Sequence, residues 1–329
     1  MATIKDVAER AGVAVATVSR VMNNRGSISD KMRKRVQAAM DELNYQPNEL
    51  ARALQRQHSR LIAVIVREID HPFFSRTVQA AERALAGAGY HMLLFTSQGS
   101  TAQENAFLPA IRATHVDGVL LCGQTDDEIT SVFPGCGIPL VTIDRDLGPH
   151  VPMVCCDNRE GGRLAADALY RSGCRHPLVF RSPDVSAPGA SRVAGFLQRC
   201  EELGVAPLIS AQSPLPALDA NAYHDFYADL FRAYPAADGL FAISDLAAAG
   251  ACVTLREMGR RVPEEVQVIG FDGIPIGDFL DLTTIAQPVE AIGAFAAGLL
   301  LQAVEGQTIP WRSYMPVNLL ERQTTRRAK

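Results

Sequence analysis

Residues 3–22 constrain this 329-residue chain more tightly than any other stretch. Two short apolar stripes flank one glycine: Ile4, Val7, Ala8 and Ala11 come before Gly12, and Val18, Val21 and Met22 after it. Apolar residues spaced three and four apart share a face on a helix, and a glycine between two such stripes gives the backbone freedom for a sharp turn. Thr3 is placed to cap the first helix, with Asp6 answering it three residues on as in a capping box. Behind them, Ser29 begins a third amphipathic helix whose stripe is Met32, Val36, Ala39, Met40 and Leu43. The pattern predicts a helix-turn-helix.

What the second helix turns outward is as informative. Val15, Ala16, Thr17, Ser19 and Arg20 are small residues plus one arginine, a face that a DNA major groove can accommodate where bulkier side chains would clash. Charge points the same way: residues 1–60 carry a net +5 and the remainder −9, within a total of −4. A basic head on an acidic body suits a module that meets phosphates. A small helical bundle with a solvated basic face would share the charge, but not the ordered run of cap, turn glycine and small outward residues. Residues 47–55 read as a two-turn helix capped by Asn48, with Leu50, Ala51 and Leu54 on one side. So short a helix is marginal alone and needs a partner helix, DNA or both; a linker with brief helical character would have the same spacing.

With 47% apolar residues, the chain can bury a headpiece core and one or two larger cores. It shows no signal peptide, and its most apolar stretches, 61–66 and 291–301, are too short or broken by glycine to span a bilayer. A cytoplasmic protein with no membrane partner is expected. The seven cysteines (122, 136, 155, 156, 174, 200, 252) are odd in number, lack Cys-x-x-Cys spacing and sit in apolar surroundings, which predicts reduced core thiols. The seven histidines are scattered without metal-ligand spacing. No phosphate loop, dinucleotide fingerprint or Gly-x-Ser-x-Gly elbow is present, and Gly87-Ala88-Gly89 reads as a helix C-cap. No enzyme activity, cofactor or metal is therefore expected.

From residue 61 onward, short β-rich runs (61–66, 91–96, 118–122, 140–143, 178–180, 239–243 and 267–271) alternate with helical ones (74–88, 161–172, 190–203 and 246–258). This is the signature of an α/β fold with doubly wound parallel sheets whose strands are buried, and so long a stretch suggests two sheets. Ligands of such sheets bind beyond the carboxyl ends of the strands. At those ends stand Asp70-His71-Pro72-Phe73-Phe74, then Asp144 and Arg145, Ser244 and Asp245, Asp272, and Gln287. Carboxylates and amides bind vicinal hydroxyls, and aromatic faces cover C–H surfaces, so the set suits a sugar. Asp245, opening a helix, reads as a cap.

Several of these runs resemble one family. Val18-Ser19-Arg20-Val21, the trailing Asn23, and Tyr45-x-Pro47-Asn48 ahead of Ala51-Arg52-x-Leu54 resemble the headpiece of the LacI/GalR (lactose-repressor) family of bacterial regulators. In the body, Val116-Asp117-Gly118-Val119, Asp157-Asn158 with Gly161-Gly162, Arg192-x-x-Gly195-Phe196, Ile269-Gly270-Phe271-Asp272-Gly273 and Leu282-Thr283-Thr284-Ile285-x-Gln287-Pro288 extend the likeness over nearly the whole chain. They are also similar to periplasmic ribose-type sugar-binding proteins. The run from Asp144 through Ala166 is most similar to sucrose- and ribose-operon repressors.

The resemblance implies an all-helical helix-turn-helix headpiece over 1–46, a hinge helix and linker over 47–60, and a sugar-effector and dimerisation body over 61–329. That body would have two subdomains of the periplasmic-binding-protein type, about 61–157 with 288–316 and about 158–287 with 317–329. DNA contacts would come from Thr3, Val15, Ala16, Thr17, Ser19, Arg20 and Asn23, and from Ala51, Leu54 and Gln55 in the hinge. Val15, Ala16 and Arg20 would read bases, and Leu54 would wedge into the minor groove. Phe73, Phe74, Asp144, Arg145, Arg192, Ser244, Asp272 and Gln287 would line the effector cleft. Three departures stand out: Ala14 replaces a capping serine, Gln55 a lysine found in some members, and Ser244 an asparagine. The implied function is a repressor of a carbohydrate-utilisation operon, released from its operator by ribose, sucrose or a related sugar or sugar phosphate; Arg145 and Arg192 could serve either a neutral sugar or a phosphate. The implied partners are double-stranded operator DNA, that small sugar effector and a second copy of the chain. With no leucine-heptad tail after the last strand, dimers are expected over tetramers. A sugar-binding receptor of the periplasmic type would have no use for the head; a corepressor-dependent regulator differs only in the sign of the response.

Overall fold

The computed structural model describes residues 2–22, 28–45, 59–125, 130–181, 186–212 and 220–327. It divides into two units, residues 1–59 and 60–329.

In the first unit, α1 (Ile4–Ala11) and α2 (Val15–Met22) meet at Gly12, whose φ of +60° ends α1. The Thr3 N–H donates to Asp6 Oδ2 at 2.7 Å and the Asp6 N–H to Thr3 Oγ1 at 3.4 Å, closing the capping box. These bonds hold the Asp6 carboxyl below its usual range. At α2 no side chain can cap, because Ala14 has none to offer; its carbonyl accepts from the Thr17 and Val18 N–H groups. α3 (Asp30–Glu42) starts at Ser29, whose Oγ accepts from the Met32 N–H. Arg35 on α3 donates to the Gly12 carbonyl at 3.0 Å and so braces the turn, while Glu42 pairs with Arg10 of α1. Val7, Ala8, Ala11, Val18, Val21, Val36 and Ala39 form the core, with Met22, Met40 and Leu43 on its border. Met32 lies outside this cluster, one turn before Val36, the first α3 residue in it.

In the second unit the chain forms β1 (Leu61–Val66), α4 (Pro72–Gly87), β2 (His91–Thr96), α5 (Thr101–Ala113), β3 (Gly118–Cys122), β4 (Leu140–Ile143) and β5 (Met153–Cys156). It continues through α6 (Asn158–Arg171), β6 (Pro177–Phe180), α7 (Ala187–Glu202), β7 (Leu208–Ser210), α8 (Ala220–Ala233), β8 (Gly239–Phe241), α9 (Asp245–Glu257), β9 (Gln267–Asp272), the short α10 (Pro275–Phe279) and β10 (Thr283–Ala286). Last come α11 (Val289–Val304), β11 (Arg312–Met315) and β12 (Asn318–Leu320). Two six-stranded sheets result, ordered β11-β5-β4-β3-β1-β2 and β12-β10-β9-β8-β6-β7. The chain enters the second sheet after β5, returns to the first after β10, and crosses again between β11 and β12.

Every pairing in the first sheet is parallel, and only β12 runs antiparallel in the second. Helical crossovers impose this, and they cover both sheet faces. β3, β4, β5 and β9 are accordingly buried at every residue, whereas β2, expected to be buried, is an edge strand and only partly covered. In the second half, α6 and α7 pack backbone to backbone through Gly162 and Gly195. A Cβ on either would stand 1.9 Å from a carbonyl oxygen of the other helix, Arg192 or Arg159. That contact explains the paired glycines of the sequence and fixes where α7 carries Arg192.

Candidate functional site

Parallel winding brings the carboxyl ends of all strands in a sheet to one edge, and the polar residues found there join into one network across the two sheets. Asp272 ends β9. Its Oδ1 accepts from Gln287 Nε2, just past β10, at 2.8 Å and from Arg192 Nη1 at 3.3 Å. Arg192 is held at Nε, at Nη1 and across its face. Its Nε donates to Asn158 Oδ1 at 2.8 Å, its Nη1 also to the Ile243 carbonyl at 2.5 Å, and its guanidinium carbon lies 3.7 Å from the centre of the Phe271 ring. A cation over an aromatic face is favourable, more so when desolvated. Nη2 makes no hydrogen bond among the described residues, which leaves it as a donor.

From the first sheet comes Asp144, directly after β4, with a φ of +56°. Its Oδ1 is buried without a hydrogen-bond partner, and so is Oε1 of Gln287. Burial pushes the Asp144 carboxyl up to about 6, with Arg192 opposing the rise and Asp272 adding to it. Asp144 therefore lies within electrostatic reach of the second-sheet residues. Two buried acceptors with nothing to accept from among the described residues are costly; a ligand rich in O–H donors would satisfy both.

The paired aromatics of α4 sit at the same edge. His71 caps α4 by accepting the Phe73 N–H at its Nδ1, at 3.2 Å. Phe73 is buried against Ile274 and Val289. Phe74 meets it edge to face at 5.3 Å and lies against Gly123 past β3, where a Cβ would come within 2.8 Å of the ring.

Other residues behave differently from the sequence reading. Asp245 is not the cap of α9. Ser244 caps it, accepting from the Ala247 N–H at 3.2 Å, because the residue before the first helical turn has the extended backbone that capping needs. Asp245 is fully buried; its Oδ2 accepts from the Ile274 N–H at 2.9 Å and its Oδ1 from the Thr284 hydroxyl. It thus ties the loop after Asp272 to β10. Burial raises its carboxyl, and the neighbouring Asp272 carboxylate adds to this. Arg145 turns to a partner the sequence reading missed: Glu104 on α5, 2.6 Å from Nη1, with the two side chains 5% and 4% exposed. Glu104 could have been found, since it shares the apolar face of α5 with Phe107, Leu108 and Ile111, where a charge demands a counter-ion. Asn158 was missed as a site residue because it opens a helix and looks like part of a cap.

On α2, Val15 is 40% exposed and Ala16 and Arg20 stand out beside it, whereas Thr17 and Ser19 are half-buried. Arg20 has no ion-pair partner among the described residues. Thr3 is exposed and occupied in its cap. Asn23, Ala51, Leu54 and Gln55 lie outside the described residues. Among the described residues no group of His, Cys, Asp or Glu could hold a metal ion, and no helix is long and apolar enough to cross a membrane. All seven cysteines are free thiols, and burial raises the Cys155 thiol to about 12.

Comparison with known proteins decides what this architecture is. Residues 3–48 match the profile described as bacterial regulatory proteins, lacI family, and residues 59–323 the one described as periplasmic binding proteins and sugar binding domain of LacI family. The chain belongs to the lacI family of bacterial regulatory proteins. This LacI-family repressor is 35% identical to the ribose operon repressor of Halalkalibacterium halodurans, over 99% of its own length and 98% of that protein's. It is 32% identical to the sucrose operon repressor of Streptococcus mutans serotype c, over 97% and 98% of the two chains. Its fold matches a lac repressor dimer bound to operator and the anti-inducer ONPF, with a TM-score of 0.88 and 26% identity over 99% of both chains. The repressor's helix-turn-helix head and its sugar-binding body are thus each assigned by their own match.

Proposed function

We propose that the LacI-family repressor acts as a homodimer that silences a carbohydrate-utilisation operon and leaves its operator when a small sugar fills the cleft. Ribose, sucrose and closely related sugars are the candidates, by analogy with the relatives' names. The head spans 1–46, the hinge 47–60 and the effector body 61–329. Two α2 helices enter successive major grooves of a pseudo-palindromic site, with Arg20 reading a base. The short helices expected over 47–55 pair at the centre, each bringing Leu54 to the minor groove, and the bending cost is offset by the added contacts. Sugar bound between the sheets favours one arrangement of the halves over another, and that preference weakens the paired hinge. A difference of about 1.4 kcal/mol in affinity for the two states shifts their ratio about tenfold. The protein is a binding switch in the cytoplasm and catalyses no reaction.

One observation carries this reading: Asp144 and Gln287 hold buried, partnerless acceptors beside the Arg192–Asp272 pair, in a chain whose head exposes Arg20 on a recognition helix. A gel shift with DNA from upstream of the repressor's own operon tests it. Binding at low salt should be released by at least one of ribose, fructose or sucrose. Sugar that tightens binding would make the protein corepressor-dependent, and no binding to any duplex would end the proposal.

A further inference from the structure

We propose that Glu104 sets the charge of the effector: by holding Arg145 in a buried ion pair, it leaves a cleft that takes an uncharged polyhydroxy ligand and rejects the phosphorylated form of the same sugar. The inference rests on the reading of this cleft as the effector site. Sugars reach a cell's regulators both free and phosphorylated, and an arginine at a strand end is the residue type that would recognise a phosphate. Arg145 stands at such a place, directly beside Asp144, yet its guanidinium is 2.6 Å from Glu104 and both side chains are all but excluded from water. A phosphate could capture Arg145 only by breaking its buried ion pair with Glu104, which is strongly unfavourable.

Arg192 offers a poor receptor: only its Nη2 remains to donate, too little for the bidentate grip an arginine takes on a phosphate, and Asp272 lies 3.3 Å from its Nη1. Asn158, the Ile243 carbonyl and Asp272 already take its Nε and Nη1, and Phe271 covers its face. With the Arg145 charge cancelled, Arg192 faces two carboxylates among the described residues, Asp144 and Asp272. Hydrogen-bond polarity agrees with charge. The two buried cleft atoms without partners among the described residues, Asp144 Oδ1 and Gln287 Oε1, are acceptors; they require O–H donors, which a phosphoryl group in its dianionic form does not present. A free sugar supplies what is missing, and its phosphate ester would set like charge against Asp144.

Calorimetric titration of the full-length repressor against ribose, fructose, ribose 5-phosphate and fructose 6-phosphate tests the class. At least one free sugar should bind at least 100-fold more tightly than its phosphate. A phosphate that binds as tightly as the parent sugar overturns the inference while leaving the effector reading intact. Binding by neither set overturns both, and the gel shift then shows whether the DNA-binding half survives. Glu104→Gln tests the residue: by freeing Arg145 it should narrow the sugar-to-phosphate ratio at least tenfold, a change that loss of stability alone would not produce. Glu104→Asp should keep the ratio wide. Because an orphaned arginine can prevent folding, the double variant E104Q/R145Q, which strands no charge, is measured as well. It should still reject the phosphates; gain of phosphate binding in the double variant would mean that Glu104 acts by direct repulsion and not through Arg145.

Discussion

The recognition helix and the effector cleft solve opposite problems with the same chain. In the head, Val15, Ala16 and Arg20, the residues that would read bases, come from one helix and stand outward, while a core of seven small apolar residues lies behind them. In the body, the polar residues come from five places between Asp144 and Gln287, and they are buried and held by one another. A DNA contact can therefore be changed with little effect on folding, whereas a cleft residue belongs to the structure it serves. The two should also fail independently.

Asp272→Ala should have the largest effect. It strips Arg192 of its carboxylate and Gln287 of its acceptor, and breaking one side of a buried pair costs about 3–5 kcal/mol. Calorimetry should find sugar binding abolished, with gel shifts still showing DNA binding that no sugar relieves. A fully inducible variant would remove Asp272 from the site. Acidity should separate the regions next. The Asp144 carboxyl is raised to about 6 from an ordinary 3.8, so the native state holds a proton that the unfolded chain has released. Stability should then fall as pH rises from about 4 to about 6, by on the order of 3 kcal/mol, and level off above that. The buried Asp245, raised in the same direction, adds to the trend. Thermal melts of the body at pH 5 and pH 7 should show it, and Asp144→Asn should flatten the slope.

Smaller effects belong to the head. Arg20→Ala should weaken operator binding by about 1–3 kcal/mol and relax preference at one base pair. Binding titrations across single-base operator variants would read this, with sugar affinity unchanged. Thr3→Ala removes the α1 cap and should cost the head about 1 kcal/mol, seen in its own unfolding transition and absent from that of the body.

The same contrast governs what could be read from residues alone. The helix-turn-helix was legible because cap, stripe and turn are local, with Thr3, Gly12 and Val18 within sixteen residues, although Thr17 and Ser19, read as outward, are half-buried. In the body, the alternation of strands and helices disclosed two parallel sheets, and the strand-end rule drew attention to Asp144, Asp272 and Gln287. Five strands of three or four residues escaped: the interior β5 and β10, too short to stand out, and the edge strands β7, β11 and β12, which are not fully buried and lack the apolar run that marks an interior strand. Helices α4, α6 and α7 also begin two or three residues earlier than periodicity indicates, because His71, Asp157 and Ser186 cap them ahead of the first apolar residue. Least legible were the pairings. An arginine in the middle of α7 looks like surface charge, and Arg192 came to notice only through family likeness. Nothing in sequence separation connects Glu104 to Arg145 or Asn158 to Arg192, because those bonds depend on how α5 and α7 are packed.

The order of the last strands bears on how the body must be made. β11 completes the first sheet and β12 the second, and both follow every other strand in the chain. A nascent polypeptide leaving the ribosome can therefore finish neither half until residues 312–320 emerge. Both borders would stay open until then, and a nonsense codon just before residue 312 would strip one ribbon from each lobe at once.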